Sequence, residues 1–504
     1  MNAIRDFIWH NRKNRRYLLS ALGASVVLLT VFKIFYPYPN LVLDSYYYIW
    51  AAATHSDVNA WPIGYSRFLR LVGLFTHSPL ALVCIQYLFL ELSLMILFFT
   101  LRFFFRLGNL TSSLLFVFFF VNPLLLYTGN LIMADTLFNG LSILWITQLL
   151  WIIYRPRPWM IFTHALLLFI TFTVRYNALY YPVVATLVFL LSRQRVGWKL
   201  TGILLPLILL GAFVIQTNKR MEAYCGVKQF SSFGGWKLAN DALFAYAHVP
   251  PGALDTVPVK FRMLDKYVRT YFRLSHDPAD LGDEDQHHGS PYMFGETSPL
   301  TAYMFRLYGV DSSSILVFKK WSKLGPFYTA YGSYLVKKYP LYFVRWFVWP
   351  NLQRYAMPPR EIYLTYTPFV LRPDDLAPYA VSWFGLKTLM VKFAYIKFRW
   401  AILSPYPILF GLIHLCFILS FVGFLLNKGW SRMGRPLNYC LLAMAFLWLC
   451  DFGFSLFAAA VVIRYQIFMV FLEFSFSLFF LEYIYRNADK PLPGKPPGKV
   501  SSVV

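Results

Sequence analysis

Four ionisable residues stand far apart in the chain, each at the edge of an apolar run. They are Asp44 in "LVLDSYYYIWAA", Asp135 in "GNLIMADTLF", Arg175 in "TFTVRYNALYYP" and Arg464 in "AAAVVIRYQIF". A charge costs about 2.5–3.5 kcal/mol at the centre of a membrane helix and less near the interface, so such residues tend to pair or to serve function. Any one of them alone reads equally well as an interfacial side chain reaching into headgroups. Two carboxylates and two guanidiniums at one depth and on one side read as a site. The guanidinium fork matches phosphate oxygens in a fixed geometry. A carboxylate can take the proton of an attacking hydroxyl or amine, a step worth about 10²–10⁴-fold in rate.

The depth argument depends on the elements that carry these residues. The chain has 504 residues, is 58% hydrophobic and only 14% charged, and this balance belongs to polytopic membrane proteins. Apolar runs at about 17–36, 79–100, 111–128, 136–154, 159–175, 178–193, 198–216, 404–426, 437–456 and 466–485 are each read as a crossing. The fold class expected is therefore all-α, with about ten transmembrane helices and a mixed extracytoplasmic region. The formal charge of +24 does not point to nucleic acid, because the basic residues fall in short clusters between the runs. Clusters such as Arg12 to Arg16, Arg102 with Arg106, and Arg155 with Arg157 alternate with loops poor in Lys and Arg. By the positive-inside rule both termini are expected in the cytoplasm. The N-terminal start reads as an uncleaved signal anchor. The division expected is a seven-helix membrane module over 1–216 with a long first outer loop at 37–78, an outer region with interfacial helices at 217–400, three further crossings at 401–485, and a disordered cytoplasmic tail at 486–504.

At these residues the chain resembles the GT-C superfamily of membrane glycosyltransferases, in particular the aminoarabinose transferase and protein O-mannosyltransferase group. "LDSYYYIWAA" looks like that family's first-loop segment, which makes Asp44 the expected catalytic base. "WPIGYSRFLRLVG" is similar to its later first-loop segment. "NPLLLYTGNLIMADTLF" looks like the turn whose second acid corresponds to Asp135. "RYNALYYP" and "RYQ" resemble the places where members set basic residues against a donor phosphate, which implies that role for Arg175 and Arg464, with Arg67 beside them. The same segments carry Tyr46, Tyr65, Tyr176 and Asn177, which the resemblance makes substrate-binding. The first loop carries a single acid where some members carry a pair, a departure that weakens a metal-assisted mechanism.

The resemblance implies an inverting transferase that moves a sugar from a polyprenyl-phosphate donor to an extracytoplasmic lipid, glycan or protein acceptor. Its partners would be that donor, that acceptor and membrane lipids, in a bacterial inner membrane with the site facing the periplasm. No cofactor is certain, and a divalent metal stays open. Rival readings are a polymerase or ligase using polyprenyl-pyrophosphate glycans, and a transporter or flippase, whose ionisable residues belong near the bilayer midplane. A further metal candidate is "DLGDEDQHH", where Asp283, Glu284 and Asp285 precede His287 and His288, although such acidic runs are more often simply solvated.

Overall fold

The computed structural model describes residues 2–250, 257–274, 289–295, 297–310, 314–360, 363, 366, 378–385 and 396–488. The acid and histidine run at 283–288 and most of the tail lie outside the described residues. Every regular element among the described residues is a helix. The outer region, expected to be mixed, has only helices as its regular elements among the described residues.

The chain opens with a short helix α1 (Asn2–Trp9) and the long α2 (Arg12–Phe35). The first outer loop then folds as α3 (Leu43–Ala53) and α4 (Gly64–Gly73). There follow α5 (Pro79–Phe105), α6 (Asn109–Phe120), α7 (Pro123–Gly129), α8 (Ala134–Tyr154), α9 (Trp159–Val174), α10 (Tyr181–Leu191) and α11 (Val196–Cys225). Pro123 lacks the N–H needed to continue α6, so the helix is interrupted there within the expected crossing at 111–128, which remains one span over Asn109–Gly129, and Asn122 caps the new start by accepting from Leu124 N at 3.1 Å.

Among the described residues, eight helical segments are long and apolar enough to cross a membrane. The chain is thus a multi-pass membrane protein. Two of the ten expected crossings fall short of that length: Trp159–Val174 and Tyr176–Leu191. Sixteen residues rise about 24 Å, less than the roughly 30 Å of a hydrocarbon core. A 3₁₀ turn at Tyr176–Tyr180 joins the two pieces directly after Arg175.

The outer region contributes α12 (Ser232–Tyr246), α13 (Arg262–Leu274), α14 (Pro299–Tyr308) and α15 (Ser314–Lys338). These bury a core of their own around Trp236, Leu243, Leu264, Leu300, Tyr328 and Tyr331. Helices α12 and α15 touch backbone to backbone: a Cβ on Gly235 would stand 2.0 Å from the carbonyl oxygen of Gly325. A helical path then runs from Pro340 through a π turn at Val344–Val348 into α16 (Trp349–Ala356). The two faces of this aromatic and basic stretch differ. Leu341 and Trp349 are exposed, while Asn351 and Tyr355 are buried against the membrane helices. The chain returns through α17 (Tyr406–Leu426), α18 (Arg435–Ala458) and α19 (Ile463–Asn487). Helix α19 takes up the first two residues of the expected tail. Helices α8 and α19 are the most enclosed of the membrane helices, whereas α2 and α11 turn most of their surface outward.

Candidate functional site

Asp44 and Asp135 come from loops 91 residues apart, and a two-residue stitch joins those loops. Asn40 N donates to Asn130 O at 2.8 Å, and Ile132 N donates to Asn40 O at 3.1 Å, forming a parallel bridge between Asn40 and Leu131. Each acid follows its bridged residue by four positions. Side chains brace the stitch from three helices. Lys33 Nζ at the end of α2 donates to Asn130 Oδ1 at 2.9 Å. Gln86 Nε2 of α5 donates to Gly129 O at 2.6 Å and Leu131 O at 2.8 Å, while Tyr65 OH of α4 holds Gln86 Oε1 at 3.0 Å. Ser45 Oγ accepts from Val42 N at 3.0 Å, which starts α3 there and puts Asp44 in its first turn. Asp135 likewise occupies the first turn of α8. A helix N-terminus favours negative charge at both places.

The arginines are set by different means. Arg175 stands at the C-terminal end of α9, where a cation suits the helix dipole. Its position depends on Gly64: a Cβ there would lie 2.5 Å from the Thr173 carbonyl, so α4 can press on the last turn of α9 only without a side chain. Arg464 lies in the first turn of α19, the wrong helix end for a cation. The tight turn before it is pinned by Asn351, whose Nδ2 reaches Leu456 O and Ala459 O at 3.1 and 2.8 Å while its Oδ1 accepts from Val461 N at 3.1 Å. Ile463 N donates to Pro359 O at 3.1 Å, and Gln466 Nε2 to Tyr355 O at 3.0 Å.

These four side chains meet. Arg175 Nη1 hydrogen-bonds Asp135 Oδ1. Arg464 Nη1 lies 3.6 Å from Asp135 Oδ2 and 3.7 Å from Asp44 Oδ2. The acids differ in exposure: the Asp135 side chain is 1% exposed and that of Asp44 is 23% exposed. Asp135 is therefore enclosed between two guanidiniums, and Asp44 is the carboxylate that a ligand can reach. Both arginines also lie over the Tyr465 ring, at 4.9 and 4.6 Å.

All four line one cavity of about 870 Å³ between the ends of the membrane helices and α12. Its volume falls in the usual range for a small-molecule site. Tyr176 and Asn177 line it as well. Tyr46, Tyr65 and Arg67 do not. Tyr65 is fully buried on Gln86. Arg67 lies 4.0 Å from Asp57, which pairs with Arg220 at 3.0 Å. Burial and the Arg220 charge both lower the Arg67 pKa. Tyr48 replaces Tyr46 in the wall. On a helix, residues four apart share a face, so Tyr48 follows Asp44 while Tyr46 turns away. That phase was legible once "LDSYYYIWAA" is read as a helix.

The opposite wall holds a second polar pair. Lys237 Nζ of α12 lies 2.9 Å from Asp241 Oδ1 and donates to Gly289 O at 2.6 Å, and Asn240 Nδ2 donates to the same carboxylate at 3.1 Å. Burial pushes the Asp241 carboxyl up to about 6 against the opposing pull of Lys237. In sequence the pair looks like the solvated face of an ordinary helix. An apolar side completes the cavity at the end of α18, where Phe454, Phe457 and Ala458 line it and Phe457 is 61% exposed. No cluster of three metal-ligating side chains occurs among the described residues. No family model, curated protein or solved structure matches the chain.

Proposed function

We propose that this protein is an inverting membrane glycosyltransferase of the GT-C type, moving a sugar from a polyprenyl-phosphate donor to an extracytoplasmic acceptor. The observation that carries the reading is the convergence of Asp44, Asp135, Arg175 and Arg464 on one cavity at the ends of the membrane helices. The set is formally neutral, two carboxylates against two guanidiniums, so an entering phosphate must compete for an arginine. Asp44 is the partner more readily displaced, because its side chain is 23% exposed where that of Asp135 is 1% exposed and also hydrogen-bonded to Arg175. A phosphate brought next to Asp44 raises its affinity for a proton, as like charges do. Asp44 then removes the proton of the acceptor hydroxyl or amine. The acceptor atom attacks the anomeric carbon from the face opposite the phosphate, and the bond from that carbon to the phosphate oxygen breaks. The bonding pair leaves with the lipid phosphate, whose charge Arg464 and Arg175 stabilise. Asp135 is the positioning residue that holds both guanidiniums. The apolar side at Phe454 and Phe457 suits a lipid chain reaching in from the bilayer. In this reading the membrane is a bacterial inner membrane, the cavity faces the periplasm and the termini are cytoplasmic.

The test is turnover of a panel of polyprenyl-phosphate and polyprenyl-pyrophosphate sugars by purified wild type and Asp44→Asn. Release of polyprenyl phosphate by wild type and not by the variant supports the reading. Use of pyrophosphate donors alone assigns the polymerase or ligase class instead. Equal turnover by both proteins removes Asp44 from the chemistry.

One observation favours a second reading, a transporter. His414 Nδ1 lies 2.5 Å from Glu473 Oε2, and Asp451 accepts from Tyr180 OH at 2.8 Å; all three ionisable residues are buried inside α17, α18 and α19. Glu473 follows the start of α19 by ten residues, about 15 Å and so near mid-membrane. Buried ionisable groups at that depth mark proton paths in transporters. None of these three lines the cavity. Proton movement in proteoliposomes that is lost in Glu473→Gln and kept in Asp44→Asn would move the assignment to transport.

A further inference from the structure

The 21-residue α8 starts beside the cavity and rises about 30 Å to the other membrane face. There its C-cap residue Arg155 meets the end of α5, and a second cavity of about 600 Å³ opens, lined by Arg102, Arg106, Arg155, Phe7, Phe104 and Tyr154. Helix α1 closes one side, with the Phe7 ring 5.3 Å from that of Phe103. No carboxylate among the described residues lies within ion-pair distance of these three arginines. Two acids close in the chain to the lining are engaged elsewhere: both oxygens of Glu482 accept from Gly108 N, at 2.8 and 3.1 Å, and it pairs with Arg486, while Asp6 lies 3.9 Å from Arg5 and 3.8 Å from His10.

The guanidinium of Arg102 is the informative group. Its Nε and Nη1 are buried and make no hydrogen bond, while its carbon lies 4.6 Å from the centre of the Tyr17 ring. Buried charged donors are ordinarily satisfied, and these two nitrogens are left wanting an acceptor. Arg106 adds a second sign. It ends α5 in the left-handed region, φ +50°, where glycine is the usual residue. A side chain kept at a strained position that lines a cavity points to use. Helix C-terminal carbonyls favour cations at all three places.

We infer that this arginine pocket binds a phosphate-bearing anion, a phosphate mono- or diester, held by Arg102, Arg106 and Arg155. A phosphate offers several acceptor oxygens to guanidinium forks at once. Its place at the ends of two membrane helices, with a wall of aromatic rings, suits the headgroup of an anionic lipid, and a soluble phosphate carries the same recognised group. The inference is independent of what the first cavity does.

The test is thermal unfolding of the full chain in neutral detergent, titrated in parallel with phosphatidylglycerol, phosphatidylcholine and glycerol phosphate. Wild type is compared with Arg102→Gln, Arg106→Gly and the control Arg5→Gln on α1. The expected result is a saturable rise in Tm with phosphatidylglycerol and not with phosphatidylcholine. Half-saturation should weaken about tenfold or more in Arg102→Gln and Arg106→Gly and stay unchanged in Arg5→Gln. Arg106→Gly keeps the fold, since glycine is at ease in the left-handed turn. If glycerol phosphate alone gives the same rise, lost in the same variants, the pocket belongs to a soluble phosphate. Equal responses to both lipids with none to glycerol phosphate, or wild-type responses in both pocket variants, overturn the inference.

Discussion

At one end of α8 two guanidiniums close on two carboxylates, and at its other end three guanidiniums gather without any. The residue types overlap and the surroundings do not. At the first site Asp135 is shut in between Arg175 and Arg464, so the positive groups are held in place before any ligand arrives. At the second, Arg102 rests on aromatic faces with two guanidinium nitrogens unanswered. Paired arginines are preorganised, which suits a group whose charge grows during a reaction. Unpaired arginines keep their full attraction for an anion that comes and stays. The difference separates a place for chemistry from a place for binding, and substitutions at each end test whether that separation holds.

The largest contrast is expected in rate. Asp44→Asn should lower turnover by about 10²–10⁴-fold with little change in Tm, because Asp44 is the more exposed acid and lies in the cavity wall rather than beneath it. Arg102→Gln at the far end should leave turnover at the wild-type level in the same assay. Loss of turnover in both would mean that the two ends are not separate. Stability should divide the ends in the next measurement. Arg175→Gln takes the closest partner from the buried Asp135, and breaking a buried pair in this way costs on the order of 3 kcal/mol. Arg102→Gln gives up a cation–π contact worth about 1 kcal/mol or less. Thermal unfolding in detergent compares the two, and equal losses would remove the distinction between paired and unpaired arginines. Gly64→Ala sharpens the point without touching a charge. The added methyl meets the backbone at Thr173 and Val174, so α4 must move off α9, with a loss of about 1–3 kcal/mol and a displaced Arg175. Turnover should fall with it, and unchanged turnover would show that Arg175 needs no such support.

The sequence exposed the first site better than the second, for a physical reason. Asp44, Asp135, Arg175 and Arg464 stand out because a charge at the end of an apolar run is costly, and the structure brings those four together. Arg102, Arg106 and Arg155 occur where the positive-inside pattern already expects basic residues, so nothing in the string separates a binding pocket from topology. Helical phase explains other differences. Tyr46 and Tyr48 look alike in "DSYYY", and only the four-residue step from Asp44 selects Tyr48. Tyr65 reads as a substrate contact until Gln86, 21 residues on, is seen to take its hydroxyl. The polytopic all-helical class follows directly from the apolar runs. The shortness of α9 and α10 was legible too, since the runs at 159–175 and 178–193 are themselves about as short as the helical segments that form.

The smallest expected effect concerns the cavity's outer wall, where Asp241 tests whether the paired design extends to α12. Its carboxyl is raised from 3.8 to about 6, burial being the largest cause and the Lys237 ammonium the chief opposing one. A raised folded-state value means that the folded chain binds this proton more tightly than the unfolded chain. The stabilisation is complete below about pH 4 and is lost as pH rises through about 6, at about 1.4 kcal/mol for each unit separating the two values. Stability should therefore slope downward between pH 4 and 6, and Asp241→Asn should flatten that part of the curve whatever its offset from losing the contact with Lys237. Tm measured against pH for both proteins reads this directly. An equal slope in the variant would mean that Lys237 outweighs burial and keeps Asp241 charged. The outer wall would then be a paired site of the same kind as the one at the head of α8.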